Sequence, residues 1–148
     1  MKEFSRIQII DKIVIGILPI LIAVIGILII PKNSITSDEG IENCKMMLDI
    51  WGVMLGFVIT ALSILLTVHE NGYVKMLIDT GHFSTILFSY MCCCISLFIA
   101  VVTSIILIYA KYWNECIYML FKGLIINTFL SLGFALFFMF KIILKNIY

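Results

Sequence analysis

Residues 83–110 read FSTILFSYMCCCISLFIAVVTSIILIYA, a run of 28 residues without a charged side chain. An α-helix needs about 20 consecutive, mostly apolar residues to cross the hydrocarbon core of a bilayer. This run therefore predicts a membrane-spanning helix.

Three further mostly apolar runs lie at Ile13–Ile30, which has no charged residue, and at Met46–Thr67 and Ile117–Phe140, which carry one charged residue each. Hydrophobic residues make up 63% of the 148 residues and charged residues 13%, against about 45–50% and about 25% in an average soluble domain. The longest non-hydrophobic segment, residues 31–45, is too short for a folded domain outside the membrane. We therefore predict an all-α membrane protein in which residues 1–148 form a single domain of four transmembrane helices.

Lysine and arginine residues predict the orientation, because short cytoplasmic loops of membrane proteins are enriched in them. The side that holds both termini and the loop 68–82 carries six of these residues, and the other side carries three, besides Lys122 within a span. Both termini are therefore predicted to be cytoplasmic. The frequent use of Ile, Lys and Asn is typical of an AT-rich bacterial genome, so the expected location of this multi-pass protein is the bacterial inner membrane. An aromatic belt is expected at the outer interface, formed by Trp51, Tyr109, Tyr112, Trp113 and Tyr118.

The second predicted span has one face of small and polar residues. At about 100° per residue, six side chains fall within roughly 80° of each other, namely Asp49, Gly52, Gly56, Thr60, Ser63 and Thr67. We call these six residues the small-polar face. One interpretation is a packing seam, since small residues let helices approach closely in lipid, and the other is a surface that lines an aqueous path. The two interpretations agree if the face lies between subunits around an axis.

Further polar residues lie within the other spans. The third span carries a second polar face, at Thr85, Ser89, Cys93, Ser96, Ala100 and Thr103. Lys122 in the fourth span is expected either to pair with Asp49 or to reach the outer headgroups. Asn127 is expected to hydrogen-bond to another helix or to water, and both residues are candidates for a pore or interface. The first span is expected to pack through small residues and the fourth to face mainly lipid.

Cys44 and Cys116 are predicted on the outer side, where a disulfide is permitted, so they are candidates for one. The adjacent Cys92, Cys93 and Cys94 point about 100° apart on a helix, so no metal site is expected. The sequence has no Ser/His/Asp set, no HExxH motif and no Gly-rich phosphate loop. We therefore expect a protein that is not an enzyme and holds no cofactor.

Basic residues are expected to rim a cytoplasmic mouth, namely Arg6, Lys12, Lys75, Lys141 and Lys145. In an oligomer this rim would multiply, and a concave basic mouth attracts anions, including nucleic-acid backbones. Lys75 lies in a segment, residues 69–82, that is predicted to form a short interfacial helix.

The segment Trp51–Thr67, WGVMLGFVITALSILLT, followed by Lys75–Gly81, KMLIDTG, is similar to small four-helix membrane proteins of bacterial anti-phage operons. It resembles the membrane effector of Hailong-type systems, with the membrane subunit of Kiwa-type systems as the second candidate. The Hailong resemblance implies a homotetrameric ion channel. It also implies a partner nucleotidyltransferase whose single-stranded oligonucleotide product holds the channel shut, so that loss of the ligand depolarises an infected cell. Duplex DNA is not expected as a ligand.

The predicted function is therefore a homo-oligomeric membrane channel that is gated from the cytoplasmic side. The alternative is a non-conducting accessory, sensor or immunity subunit of a larger membrane complex. In that alternative, the small-polar face is a docking seam for a partner protein.

Overall fold

The computed structural model describes residues 2–29, 36–67, 82–111 and 113–145, and side chains within residues 10–29, 36–67, 83–111, 113–137 and 139–140. The described residues form four α-helices, α1 (Lys2–Ile29), α2 (Ser37–Thr67), α3 (His82–Ala110) and α4 (Glu115–Lys145). Each helix contains a stretch that is long and apolar enough to cross a membrane, at Ile10–Ile29, Ser37–Thr67, Phe83–Ala110 and Glu115–Phe137. The prediction of four helices of membrane-spanning length is confirmed.

Helix α2 begins at Ser37, well before the predicted start of its span at Met46. A capping box explains the early start. The Glu39 amide donates to the Thr36 hydroxyl at 3.4 Å, and the Thr36 amide donates to the Glu39 carboxylate at 3.2 Å. Asp38 and Glu39 also place negative charge in the first turn, where the helix dipole favours it. Three acidic residues of the non-hydrophobic segment 31–45, namely Asp38, Glu39 and Glu42, therefore belong to the helix.

A short connection turns the chain from α3 into α4. Lys111, directly after α3, has a positive φ of 49°, a left-handed conformation that commonly follows the end of a helix. Asn114 then caps α4, because its side-chain oxygen accepts a hydrogen bond from the Ile117 amide at 2.8 Å. The turn brings the two helices together as antiparallel neighbours.

Helices α3 and α4 form the centre of the bundle. Helix α2 packs mainly on α3, and α1 packs mainly on α4 and less extensively on α3. Exposed large apolar side chains are most frequent on α1. The expectation that the fourth helix faces mainly lipid is therefore wrong, because α4 is covered by neighbours on two sides and buries Phe121, Thr128 and Ala135.

The core is built around an aromatic cluster. Trp51 of α2 is fully buried, and its ring meets that of Phe121 of α4 edge to face, with centroids 5.8 Å apart. Trp113 meets the same phenylalanine at 6.0 Å. The Trp51 indole N–H donates to the Thr128 hydroxyl at 3.0 Å. Trp51 was expected in the outer aromatic belt, and the structure corrects this, because the buried indole finds its hydrogen-bond partner on α4 rather than at a wet interface.

Glycines allow close packing at two places, once between two helices and once between a helix and the connection from α3 to α4. Near the C-terminal end of α1, the Ile126 side chain of α4 packs against Gly26 of α1. In the same region, the Ile27 side chain of α1 packs against Gly123 of α4. At the start of α2, a Cβ on Gly40 would lie 2.6 Å from the indole ring of Trp113. The contacts between α1 and α4 are the close small-residue packing that is typical of helices in lipid.

The outside of the bundle is apolar. Thirty large hydrophobic side chains of the described residues are exposed, among them Leu28 at 79% and Val53 at 75%. Soluble monomers rarely expose contiguous apolar patches above a few hundred Å². Together with four helices of spanning length, this surface fits a multi-pass membrane protein.

Candidate functional site

The small-polar face lies on the outside of the bundle. All six of its residues are exposed. A Cβ added at Gly52 or at Gly56 would meet no atom within 4 Å. The buried side of α2, with Cys44, Trp51 and Val58, faces its neighbours instead. The small-polar face is therefore not a packing seam between the described helices of the chain.

Large apolar side chains flank the small-polar face on both sides. At about 100° per residue, Ile59 and Leu66 fall beside one edge of the face and Val53 and Phe57 beside the other. All four of these side chains are exposed, by 48–75%. The face thus runs along the middle of the outward side of α2 as a groove between apolar ridges, which is a suitable surface for another helix.

The hydroxyl groups of the face bond to their own helix. Thr60 donates to the Gly56 carbonyl at 2.8 Å, Ser63 to the Ile59 carbonyl at 2.9 Å, and Thr67 to the Ile64 carbonyl at 3.0 Å. These donors are satisfied without an external partner, while the hydroxyl oxygens still have acceptor capacity. The face is therefore compatible both with packing against a helix and with contact to water.

Asp49 is the charged member of the face. Its carboxylate has no hydrogen-bond or ionic partner among the described residues. Lys122 does not pair with it there, because the ammonium lies over the ring of Tyr118, 4.3 Å from the centroid, in a cation–π contact. Asp49 lies near the outer end of the predicted span Met46–Thr67, so it does not bear the full cost of a charge at the centre of a span, which is about 2.5–3.5 kcal/mol on insertion scales. The Asp49 carboxylate is therefore stable where it meets water, headgroups or a polar group of another molecule.

The polar face of the third span points into the bundle. Thr85, Ser89, Cys93 and Ala100 are buried, and Ser96 and Thr103 are partly buried. Cys93 lies in the core, with Cys92 and Cys94 partly buried beside it. The two polar faces therefore differ, because that of α3 is used within the subunit and that of α2 remains free.

Asn127 of α4 makes the hydrogen bond to another helix that its position predicts. Its side-chain N–H donates to the Ser96 hydroxyl of α3 at 2.7 Å. Its carbonyl oxygen is buried and has no hydrogen-bond partner among the described residues, and Asn127 lines a cavity of about 220 Å³ together with Ser96 and Ser131. Water enters cavities that offer several polar partners, so this cavity can hold it. We did not single out Ser131 from the sequence, although it lies one turn from Asn127 on the same side of α4.

Cys44 and Cys116 are both free thiols. Cys44 is fully buried in the core, whereas Cys116 is exposed near the start of α4. The predicted disulfide is therefore not formed in the structure.

The basic residues of the expected mouth are described only in part. The Lys12 ammonium of α1 donates to the Ser84 hydroxyl at the start of α3, at 2.8 Å. Lys75 and the predicted interfacial helix around it lie outside the described residues, and so do the side chains of Arg6, Lys141 and Lys145. Of these five side chains, the structure therefore describes only that of Lys12.

No protein-family model matches the chain. Comparisons with curated proteins and with solved structures gave no match either. The functional proposal consequently rests on the geometry of the residues and on the resemblance of the sequence.

Proposed function

We propose that the chain inserts into the bacterial inner membrane with both termini in the cytoplasm and assembles into a homo-oligomeric ion channel. The small-polar face of α2 forms the contact between subunits and borders the ion path. A tetramer is the favoured assembly, as in the Hailong-type effectors that the sequence resembles. The observation that carries the proposal is the exposure of this face along the middle of the outward side of a membrane-spanning helix.

Two physical arguments support an assembly rather than a lone subunit. Fully buried side chains such as Trp51, Leu97 and Phe121 fill the interior of the described bundle, so ions need a path between subunits. A second copy, or the water that a ring of copies encloses, also gives Asp49 an environment that lipid does not. Closed rings of identical subunits are the usual form of such assemblies.

The proposed regulator is an anion that binds at the cytoplasmic mouth. A single-stranded oligonucleotide made by a partner nucleotidyltransferase would hold the channel shut, and its loss would depolarise the membrane of an infected cell. The charge of the inner side supports this part of the proposal, since six Lys and Arg residues per chain lie on that side in the predicted topology. The resemblance to anti-phage membrane effectors supports it as well.

A second function remains a proposal alongside the first, namely a non-conducting accessory subunit. The internal hydrogen bonds of Thr60, Ser63 and Thr67 favour it, because a face without unsatisfied donors can serve as a dry seam for a partner protein. The oligomeric state separates the two proposals. The channel forms an oligomer when it is purified alone, whereas the accessory subunit is a monomer until its partner is present.

Conductance tests the channel directly. We expect the purified full chain to conduct in planar bilayers, and we expect Thr60→Leu to lower the single-channel conductance because it narrows the path and removes a hydroxyl. Ile59→Leu is the matched control on the neighbouring apolar ridge and should conduct as the wild type does. Single-stranded oligonucleotides from a library added on the side of the termini should reduce the current. No current in the presence or absence of these oligonucleotides would contradict the proposal.

A further inference from the structure

An apolar groove opens between residues 12–17 of α1 and the first two turns of α3. Its volume is about 330 Å³, and its lining consists of Lys12, Ile13, Gly16, Ile17 and Phe88. Gly16 keeps the groove open, since a Cβ at this position would meet no atom within 4 Å. Ligand pockets commonly measure roughly 300–1,000 Å³, so the groove is large enough for part of an amphipathic molecule.

A cation lies at the mouth of this groove. The Lys12 ammonium donates to the Ser84 hydroxyl at 2.8 Å, and its partner among the described residues is thus a neutral group. Lys12 also lies at the beginning of the candidate span Ile10–Ile29, where long basic side chains reach towards the headgroups of the bilayer. Asp11 points about 100° around α1 from Lys12, away from the lysine's side of the helix.

We propose that the α1–α3 groove binds an anionic phospholipid. The lipid phosphate takes its charge-assisted hydrogen bonds from the Lys12 ammonium and from the Ser84 hydroxyl. One acyl chain lies in the groove against Ile13, Ile17 and Phe88. Basic pockets between transmembrane helices are known to hold anionic headgroups in this way. Beyond Lys12 the lining is apolar, which favours a lipid over the oligonucleotide of the proposed function.

The inference rests on one part of the proposed function, the insertion of the chain into a membrane, and is independent of conduction. If the chain binds the lipid but never conducts, the channel proposal fails and this site remains. If it conducts but shows no preference for anionic lipid, the site fails and the channel proposal remains.

Native mass spectrometry of the full chain in detergent tests the headgroup contact. The probe is an equimolar mixture of phosphatidylglycerol and phosphatidylcholine with identical acyl chains. We expect the wild type to retain phosphatidylglycerol with about a fivefold preference, the effect typical of one lysine near an anionic membrane surface. Lys12→Gln should remove this preference and Lys12→Arg should keep it. Lys122→Gln is the matched control, because this lysine lies over Tyr118 in the fourth helix, and it should leave the preference unchanged.

The groove itself is tested by filling it. Gly16→Leu should reduce the retention of both lipids, because the new side chain occupies the space of the acyl chain. Gly133→Leu is the control. A Cβ at Gly133 would also meet no atom within 4 Å, but Gly133 lines neither the groove nor its mouth. Circular dichroism of each variant shows whether the helices are intact. Equal retention of the two lipids by the wild type, or an unchanged preference in a folded Lys12→Gln variant, would overturn the proposal.

Discussion

Replacing Trp51 with alanine is expected to lower the free energy of unfolding of the subunit by about 3–5 kcal/mol, the range for truncating a large buried aromatic side chain. Trp51 is fully buried, and it connects α2 to the centre of the bundle through its ring contact with Phe121 and its hydrogen bond to Thr128. Truncation leaves a cavity between α2 and α4. Helix association in lipid depends on van der Waals packing. Such a cavity therefore removes part of the packing that holds α2 against the bundle.

Reversible unfolding in mixed micelles, followed by circular dichroism, measures this loss. Val53→Ala is the control on the same helix, because Val53 is 75% exposed, and it should change the free energy of unfolding by about 0.5 kcal/mol or less. Thr128→Val isolates the hydrogen bond, which is expected to contribute about 0.6 kcal/mol and at most about 1.7 kcal/mol. Equal effects of Trp51→Ala and Val53→Ala would show that the aromatic cluster does not support the fold.

Replacing Gly56 with leucine is expected to dissociate the oligomer while leaving the subunit folded. A Cβ at Gly56 meets no atom of its own subunit within 4 Å, so the fold has room for the new side chain. In the proposed assembly, the leucine would lie in the groove where a neighbouring helix must approach closely. Overpacking of this kind costs about 1–3 kcal/mol per site, and in a symmetric ring the cost repeats at each contact between subunits.

The mass of the protein–detergent complex, measured by light scattering, follows this dissociation. The wild type should be an oligomer and Gly56→Leu a smaller species. Gly133→Leu is the matched control, because Gly133 is equally open within the subunit but lies on α4, away from the small-polar face. An oligomer that persists in Gly56→Leu would place the contact between subunits on another surface.

Hydropathy predicted the four helices but not their starts. The apolar run at Met46–Thr67 marks the part of α2 that is suited to lipid, whereas the helix itself begins at Ser37. The signal for that start was present in the sequence as Thr36 followed three residues later by Glu39, the spacing of a capping box. Hydropathy measures preference for lipid and therefore carries no information about a polar first turn.

The small-polar face shows what helical periodicity can predict, namely which residues share one side of a helix. The arithmetic of the helix grouped its six residues correctly, and the structure places all of them on one exposed side. The same arithmetic puts Trp51 roughly opposite the face, at about 100° before Gly52, and thus towards the core. We assigned Trp51 to the aromatic belt from the usual preference of tryptophan for interfaces, and its burial shows that position on the helix outweighed this preference.

The arrangement of the helices in the bundle could not be predicted from the sequence. Both α1 and α4 are apolar around most of their circumference, so their composition does not show which of them lies at the centre. Particular contacts between helices determine which helix lies at the centre, such as that of Asn127 with Ser96 and that of Trp51 with Thr128. These pairs join residues far apart in the chain, and residue spacing alone carries no such information. The burial of Cys44 and the exposure of Cys116 are further results of that arrangement.

The central claim is that a second copy of the chain covers the small-polar face, and cysteine cross-linking in native membranes tests it most directly. Ser63→Cys and Ile64→Cys are adjacent and equally deep in the span, and both positions are exposed in the subunit. They differ by about 100° around α2, which puts Ser63 on the face and Ile64 on the apolar ridge. Both are made in a Cys116→Ser background, because Cys116 is exposed. We predict that mild oxidation converts Ser63→Cys to covalent dimers and leaves Ile64→Cys largely monomeric, whereas equal cross-linking of the two, or none at Ser63→Cys, would contradict the claim.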